Sequence, residues 1–354
     1  MYFRQFLDQY IILPTSRYRQ TKTFSGIKGP VNAIAFIDHR FLVSGGDDHS
    51  VSVWDIQTHR LLQRLHDRGT DLWGQITCLV CTSTPEGGQG FIAGTGRGVI
   101  IAFKLIKTKK AEFQELDCVR AFFEDNFVEA MAFDPTHKRL VVSSHKGGLK
   151  LYQMESNGTL IEKWEIPSQS ARLVRGIHFV EQGQKFLTFT MESGAVHEHD
   201  TITGKENLDN KRSLQSFVGN VDYFPDTQAI LVDNLMTGFD IYTPPRTSPN
   251  QRFEVKRHGN QVYAVEVKFG EGGALVVGGS DHGVVYIFQS DTGDCIQTLL
   301  HGNKSTLVQA IATFTSPDGE HIIASGSSRL PTSSICIWRR PVSPTPRRRS
   351  LICV

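Results

Sequence analysis

Long apolar runs, a secretory leader and abundant cysteine are all missing from this sequence. No stretch approaches the roughly 18 consecutive apolar residues of a membrane-spanning helix. The first twenty residues include Arg4 and Asp8 and lack an apolar run followed by a small-residue cleavage site. Six cysteines in 354 residues are ordinary for a reducing compartment and exclude a disulfide miniprotein. We therefore expect a cytoplasmic protein without a transmembrane segment.

An excess of charge of one sign is absent as well. The chain has 38 Lys and Arg against 36 Asp and Glu. Five of the arginines lie between Arg339 and Arg349, so residues 1–338 hold 33 basic and 36 acidic side chains. This balance disfavours a globally basic nucleic-acid-binding protein, and we do not expect nucleic acid as a partner. With 39% hydrophobic residues the chain can build a core.

A short apolar pattern recurs along the chain at intervals of 44 to 52 residues. Each copy has an aliphatic residue, two further residues, a hydrophobic residue, one more residue and then usually another apolar one. The copies begin at Val31, Ile76, Val128, Val174, Val218, Val262 and, in a weaker form, Val308. Each segment is short and rich in β-branched residues, which is typical of a strand.

Two more apolar runs follow each copy. The first ends in small residues, as in FLVSGG from Phe41, and the second alternates and ends in an aromatic residue in six of seven copies. The terminal positions of the second run are Trp54, Phe103, Tyr152, His199, Tyr242, Phe288 and Trp338. A fourth, outer strand is expected at 61–66, 159–166, 252–257 and 295–300. Four short strands per unit, with a period of about 40–45 residues, predict a β-propeller.

These residues resemble the WD-repeat family. Trp54-Asp55 is that family's dipeptide, and VYIFQSDTGDCIQTL from Val285 and the segment 315–326 match its consensus closely. The resemblance covers about residues 20–340. It implies an all-β, seven-bladed propeller that serves as a non-catalytic scaffold for other proteins.

The resemblance also assigns structural roles. In the family, a His before the first strand, an Asp in the turn between the second and third strands, a Ser or Thr and the Trp form a hydrogen-bonded network. Ile27 stands in place of the His in unit 1, and His282 stands in place of the turn Asp in unit 6. No unit keeps the full network, so we expect apolar packing between blades to hold the fold. The structural repeat positions are Ser44, Asp48, Trp54, Asp55, His258, Phe288 and Trp338.

The two ends of the repeat array predict how the ring closes. Seven complete units need a fourth strand after Trp338, but residues 341–346 contain three prolines, which exclude a central strand. Residues 17–24 precede unit 1 and belong to no blade of their own. We expect them to complete the last blade and to cover its open edge.

The predicted organisation is an N-terminal extension at 1–16, one propeller at 17–340 and a basic, Pro-containing tail at 341–354. The blades are expected at about 31–66, 75–122, 128–166, 174–212, 217–257, 262–300 and 307–338, the last together with 17–25. The arginines of the tail leave several alternatives open, namely nuclear import, contact with nucleic acid or a membrane surface, and phosphorylation at Ser343 or Thr345. The nucleus is therefore the alternative location.

Three motifs with catalytic or metal-binding associations favour structural interpretations. The Asp-Thr-Gly triplet at 291–293 is that of aspartic proteases, but it has no second copy and lies at an expected hairpin turn. Cys78 and Cys81 have the spacing of half a zinc site, but positions three apart on a strand face opposite sides. His197 and His199 share a strand face without a third ligand. We therefore expect no enzyme activity, no metal and no cofactor.

The main rival to a scaffold is an enzyme with a polar site in the central channel. The inner-strand segments offer mainly Ala, Ile, Met and Val, which disfavours that alternative. In the family, the residues that flank the first apolar position of each inner strand commonly project onto one rim around the channel. Those positions are Pro30, Asn32, Gln75, Thr77, Phe127, Glu129, Leu173, Arg175, Phe217, Gly219, Gln261, Tyr263, Leu307 and Gln309. We expect a partner peptide to lie across this rim, anchored by Phe127 and Tyr263, with Arg175 meeting an acid.

Overall fold

The computed structural model describes residues 17–69, 71–83, 88–106, 111–168, 172–258, 261–328 and 332–340. In these ranges the chain forms 28 strands and two three-residue 3₁₀ helices, Glu181–Gly183 and Leu208–Asn210. The strands pair into seven four-stranded antiparallel sheets. The all-β, seven-bladed propeller is thereby confirmed. These ranges contain no helix with the length and hydropathy of a membrane span. The extension at 1–16 and the tail at 341–354 lie outside the described residues.

The strands follow one another blade by blade. β1 (Arg19–Lys28) precedes blade 1, which has β2 (Val31–Phe36), β3 (Phe41–Gly46), β4 (Ser50–Asp55) and β5 (Arg60–His66). Blade 2 has β6 (Ile76–Cys81), β7 (Gly90–Thr95), β8 (Val99–Ile106) and β9 (Glu112–Arg120). Blade 3 has β10 (Val128–Asp134), β11 (Arg139–Ser144), β12 (Leu149–Met154) and β13 (Leu160–Ile166). Blade 4 has β14 (Val174–Val180), β15 (Lys185–Thr190), β16 (Ala195–Asp200) and β17 (Arg212–Ser213).

The remaining three blades complete the chain. Blade 5 has β18 (Asn220–Phe224), β19 (Ala229–Asp233), β20 (Gly238–Tyr242) and β21 (Gln251–Glu254). Blade 6 has β22 (Val267–Gly270), β23 (Leu275–Gly278), β24 (Val284–Gln289) and β25 (Cys295–Leu300). Blade 7 has β26 (Val308–Thr315), β27 (His321–Ser327) and β28 (Thr332–Arg340), and β1 is its fourth strand.

The second strands explain why each middle apolar run ends in small residues. Every residue of β3 and β7 is buried, because both faces of these strands are covered by neighbouring blades. A Cβ added to Gly45 would lie 2.3 Å from the side chain of Ile76, and one added to Gly94 would lie 2.6 Å from that of Val128. The small residues therefore let the first strand of the next blade approach closely.

The first strands begin at the expected residue in five blades and differ in two. β18 begins at Asn220 instead of Val218, and β22 begins at Val267 instead of Val262. Just before β22, the backbone N–H of Glu266 donates to the carbonyl of Gln309 in blade 7 at 2.8 Å. Val262 lies outside the strand and is 58% exposed.

The ring closes through β1, as the end of the repeat array predicts. β1 pairs antiparallel with β28, from Arg19 opposite Arg339 to Lys28 opposite Thr332. The sheet order β1-β28-β27-β26 makes β1 the outer strand of blade 7. The outer edge of β28 is therefore covered by β1, the strand that also leads directly into blade 1.

Side chains around β1 connect blade 7 to both of its neighbours. The Tyr18 hydroxyl donates to Glu271 Oε1 of blade 6 at 2.8 Å, and Arg340 at the end of β28 forms an ion pair with the same carboxylate at 2.7 Å. On the other side, the Phe24 ring packs on Trp54 of blade 1 with 4.5 Å between centroids. Tyr18, which directly precedes β1, thus contacts blade 6, and Phe24 of β1 contacts blade 1.

Trp54 and Trp338 anchor the two blades that meet at the closure. Trp54 is 5% exposed, and its Nε1 donates to the Ser44 hydroxyl at 2.8 Å. Trp338 Nε1 donates to the Ser325 hydroxyl at 3.0 Å, and His301 Nδ1 lies 2.7 Å from the same oxygen. Blade 7 therefore has the His, Ser and Trp of the family network, and the Ser334 hydroxyl lies 3.1 Å from Nε2 on the other side of the His301 ring. The sequence analysis did not identify His301; its position just before the first strand was the available signal.

The other structural repeat positions have local roles. The Asp48 carboxylate accepts hydrogen bonds from the backbone and hydroxyl of Ser50, which stabilises the turn between β3 and β4. The buried Asp55 carboxylate accepts from Arg40 Nε at 2.8 Å and from two backbone N–H groups of the next turn. Phe288 packs on Phe253 with 5.2 Å between ring centroids.

Replacement of Trp54 tests the packing at the closure. We expect Trp54→Ala to lower the free energy of unfolding by about 3–5 kcal/mol, because it removes a buried indole from the contact between blades 7 and 1. Trp54→Phe keeps much of the packing on Phe24 and loses the hydrogen bond to Ser44, so its cost is about 1–2 kcal/mol. Urea denaturation measures both. A Trp54→Ala variant as stable as the wild type would show that this packing does not support the ring.

Candidate functional site

The first strands of the blades surround a central channel. Its cavity volume is about 390 Å³. Polar side chains from all seven blades line it: Asn32, Thr77, Glu129, Arg175, Asn220, Glu266 and Gln309. The channel is therefore more polar than the inner-strand segments suggested, and the expectation that they offer mainly Ala, Ile, Met and Val is wrong for this surface.

Most of these polar side chains connect one blade to the next. Asn32 Nδ2 of blade 1 donates to the carbonyl of Ile76 in blade 2 at 3.1 Å. The Thr77 hydroxyl of blade 2 donates to the carbonyl of Val128 in blade 3 at 2.7 Å. We call this set of inter-blade links the channel girdle. It satisfies the backbone groups of the first strands, which face a neighbouring blade rather than water.

The girdle continues through the other side of the ring. Asn220 Oδ1 of blade 5 accepts from the backbone N–H of Val267 in blade 6 at 3.1 Å. Glu266 Oε2 of blade 6 accepts from the N–H of Ile311 in blade 7 at 2.6 Å. The Ser328 hydroxyl, which follows β27 of blade 7, donates to the carbonyl of Val31 in blade 1 at 2.7 Å.

Arg175 links three blades by itself. Its Nη1 forms an ion pair with Glu129 of blade 3, and its Nε donates to the carbonyl of Gly219 in the connection to blade 5 at 2.8 Å. The other carboxylate oxygen of Glu129 lies 2.9 Å from His145 Nδ1. Because Arg175 already has an acidic partner inside the propeller, the expectation that it meets an acid of a binding partner needs correction.

A second charged group lies deeper in the channel. Lys268 Nζ is 3.7 Å from Asp222 Oδ1, and Asp222 Oδ2 accepts from the backbone N–H of Phe269 at 2.8 Å. Burial raises the pKa of Glu266 to about 7, although nearby Lys268 acts in the opposite direction. Burial lowers the pKa of His178, so this imidazole is neutral at neutral pH. These side chains have an inter-blade or charge-pairing role.

The channel opens at an end of the propeller that we call the upper rim. The strands of a blade alternate in direction, so the connection into the first strand and the turn between the second and third strands lie at this same end. Five exposed apolar side chains lie in those segments. These apolar rim residues are Phe123, Phe217, Met236, Val262 and Tyr263, with exposed fractions of 81%, 44%, 64%, 58% and 38%.

The predicted rim residues have different environments. Gln75, Phe217, Gln261 and Tyr263 are exposed, whereas Pro30, Asn32, Thr77, Phe127, Glu129, Leu173, Arg175 and Gln309 are partly buried. Phe127 stacks on His145 with 4.1 Å between ring centroids, so part of its surface is already covered. Gly219 is buried, and so is Leu307, which packs in the apolar cluster of blades 5 and 6. Leu307 therefore cannot contact a partner from this position.

The sequence analysis did not select Phe123 and Met236 as rim residues, because they do not flank an inner strand. Phe123 lies in the connection between β9 and β10, and Met236 lies in the turn between β19 and β20. An isolated large apolar residue inside a predicted turn was the available signal, since turns are usually polar.

The other sequence motifs have structural environments. Cys78 packs in the apolar cluster shared by blades 2 and 3, and Cys81 packs in the cluster shared by blades 1 and 2, so the two thiols face opposite sides as expected. Burial raises the pKa of each thiol to about 12. His199 stacks on Phe186 in the core with 4.7 Å between centroids, and His197 Nδ1 lies 2.6 Å from Glu206 Oε1. The 291–293 triplet forms the turn between β24 and β25.

Comparison with known families decides the identity of the repeat. The family model described as "WD domain, G-beta repeat" matches residues 18–55, which cover β1 and the first three strands of blade 1. The other six sheets repeat the same four-stranded unit around the ring. The chain is a WD-repeat β-propeller. In this WD-repeat protein the match begins on the strand that closes the ring.

One similar protein is the U3 small nucleolar RNA-associated protein 18 homolog of Arabidopsis thaliana. The two sequences are 25% identical over 195 residues, which are 53% of this WD-repeat chain and 33% of the relative. The match thus spans about a third of the relative's length. The relative's name associates it with a nucleolar RNA. It gives no support to a cytoplasmic location for this chain or to the exclusion of nucleic acid as a partner.

Glu266 provides a test of the channel electrostatics. Its pKa in the fold is about 7, above its usual value of 4.5, so the folded state holds a proton that the unfolded state has released. The wild type should therefore lose stability from this group as pH rises from 4.5 to 7. Gln cannot ionise and still accepts from Ile311. We expect the stability of Glu266→Gln, relative to the wild type, to increase with pH across this window.

Urea denaturation of both proteins at about pH 5 and about pH 8 measures this change. Glu254→Gln, at an exposed position on the outer strand of blade 5, is the matched control and should show no such trend. An equal stability difference between Glu266→Gln and the wild type at the two pH values would contradict a raised pKa at Glu266.

Proposed function

We propose that this WD-repeat propeller is a non-catalytic interaction scaffold that binds a segment of a partner protein across its upper rim. The observation that carries the proposal is that, among the described residues, the exposed aromatic and Met side chains, Phe123, Phe217, Met236 and Tyr263, all lie at this end, whereas those exposed at the opposite end, such as Ile202 and Leu208, are aliphatic. Their exposure costs solvation free energy, and aromatic residues and Met are enriched where proteins bind one another. The upper rim is therefore the surface best suited to a protein partner.

Phe217 and Met236 lie beside a cavity on this rim. They line a cavity of about 360 Å³ between blades 4 and 5. The carboxylate of Asp240, a residue only 3% exposed, lies among the lining groups. An apolar side chain of a partner would be desolvated in such a cavity, as at the centre of many interfaces.

The anchors that we propose are Phe217 and Tyr263. Tyr263 is retained from the sequence analysis. Phe217 takes the place of Phe127, because Phe127 is partly covered by His145 and Phe217 is 44% exposed. The partner would contact these two rings from above the channel, while the girdle below keeps the blades in position.

The channel side chains support a scaffold over an enzyme. Glu129, Arg175 and Glu266 all contact a neighbouring blade, so their polar side chains are already engaged in the ring. A catalytic acid or base needs a free position beside the substrate. This engagement favours a structural role for the channel.

The Arabidopsis relative supports a second candidate, contact with RNA in the nucleus. Its name refers to a small nucleolar RNA, and the tail of this chain has three consecutive arginines at 347–349. We therefore propose the nucleus in preference to the cytoplasm. RNA would contact the arginines through its phosphates, whereas the protein partner would occupy the rim.

A comparison of proteins that copurify with three forms of the full chain tests the proposal. We expect the double variant Phe217→Ala and Tyr263→Ala to lose specific partners that the wild type retains. Ile202→Ala with Leu208→Ala removes two residues that are 67% and 74% exposed in the connection from β16 to β17, at the opposite end. This control should retain the partners. Both variants are first checked for folding by thermal melting.

Two outcomes decide between the candidates. Retention of all partners by a folded Phe217→Ala and Tyr263→Ala variant would reject the upper rim as the binding surface. Loss of the partners after ribonuclease treatment of the wild-type complex would show that RNA bridges them, which favours the second candidate.

A further inference from the structure

Blade 6 brings three potential metal ligands together near the upper rim. His258 lies in the connection between blades 5 and 6, and Asp281 and His282 lie in the turn between β23 and β24. One ligand atom from each of the three residues lies within 4.8 Å of the other two. The imidazole rings of His258 and His282 have centroids only 4.3 Å apart. Two imidazoles and a carboxylate thus converge from two separate segments.

The side chain of His282 is held as a metal ligand would be. Its Nε2 lies 2.8 Å from the Tyr286 hydroxyl, and its Nδ1 lies 2.8 Å from Asp281 Oδ1. Only 7% of this side chain is exposed. Metal-binding histidines usually have the second ring nitrogen fixed by such a hydrogen bond, which orients the first nitrogen towards the ion. Tyr286 fulfils that role and leaves Nδ1 facing Asp281.

The two other ligands are positioned in the same manner. His258 Nδ1 lies 3.3 Å from the carbonyl of Lys256, which directs Nε2 as the ligand atom. The backbone N–H of His258 donates to Asp281 Oδ2 at 2.9 Å, so Oδ1 is the oxygen beside His282.

We propose that His258, Asp281 and His282 bind a zinc ion or a similar first-row transition metal. Zinc accepts imidazole nitrogen and carboxylate oxygen in tetrahedral geometry, and water can fill the fourth position on the side of the exposed His258. With bonds of about 2.0–2.1 Å, the ligand atoms of such a site lie about 3.3 Å apart. The present ligand atoms all lie within 4.8 Å of one another, so a bound ion would draw them closer together. Calcium and magnesium prefer oxygen ligands and fit the two imidazoles less well.

The ion would connect the turn of blade 6 to the segment that carries Tyr263. Arg257 Nη1 donates to the carbonyl of Tyr263 at 2.9 Å, and its Nη2 forms an ion pair with Asp233 of blade 5 at 2.7 Å. His258 is the next residue, so a metal bound there would hold this connection at a second point. The site itself does not depend on whether the rim binds a protein.

Departure from the family network explains how such a site arises in this sequence. The family pairs a His in this connection with an Asp in the turn. Here His282 occupies the position of the turn Asp, and the acid is the preceding residue, Asp281. The replacement adds a second imidazole without removing the carboxylate, which converts a structural pair into a set of three ligands.

Titration of the full chain with metal tests the proposal. The protein carries no histidine tag, is treated with a chelator and is then titrated with Zn²⁺ by calorimetry and with Co²⁺ by visible absorption. We expect one equivalent of each metal to bind, with the absorption of a tetrahedral Co²⁺ site. His258→Asn and His282→Asn should each weaken binding by at least about tenfold, and Tyr286→Phe by about tenfold.

His39→Asn is the matched control, because His39 is an exposed histidine in the turn between β2 and β3 at the opposite end. It should bind metal as the wild type does. His258 is exposed and its variant should fold, which thermal melting verifies even where His282→Asn is destabilised. Failure of the wild type to bind one equivalent, or unchanged affinity in folded His258→Asn, would overturn the proposal.

Discussion

A ring of sheets is stable only if its last blade is joined to its first. Each blade buries both faces against its neighbours, so an open seventh contact would expose apolar surface and an unpaired strand edge together. Here β1 closes the gap: it pairs with β28 in blade 7 and leads through Gly29 and Pro30 directly into β2 of blade 1. Phe24 then packs on Trp54, which couples the pairing of strands to the packing between blades.

The channel girdle complements this closure with polar contacts. The side chains of Asn32, Thr77 and Arg175 each bind the backbone of the following blade, and Arg175 also pairs with Glu129 of the preceding one. Hydrogen bonds that face a narrow channel compete less with water than exposed ones. The charges of the channel thus support the ring, while Phe217 and Tyr263 remain exposed on the upper rim, where we propose that a partner binds. The proposed metal site near Tyr263 would add order to one part of that rim.

The repeat architecture could be predicted from the sequence because its signals are local. Alternating apolar runs that end at Trp54 or Trp338 define strands. Because the prolines after Trp338 exclude a further strand there, the N-terminal segment was predicted to close the ring. Blade 6 was less predictable, because Val262 matches the apolar pattern but lies before β22, which begins at Val267. The Arg175–Glu129 pair joins residues 46 positions apart, and only the ring brings them together. The set of His258, Asp281 and His282 likewise depends on two segments meeting, although the unusual His282 was visible in the sequence.

The thermal stability of two truncated chains tests the account most directly. Deletion of residues 1–26 removes most of β1, including Phe24, and exposes the edge of β28. Deletion of residues 1–16 leaves β1 and Tyr18 in place and serves as the matched control. The account predicts that the 17–354 chain melts like the full chain, and that the 27–354 chain is insoluble or melts at a much lower temperature. A soluble 27–354 chain that melts like the full chain would contradict closure of the ring by β1.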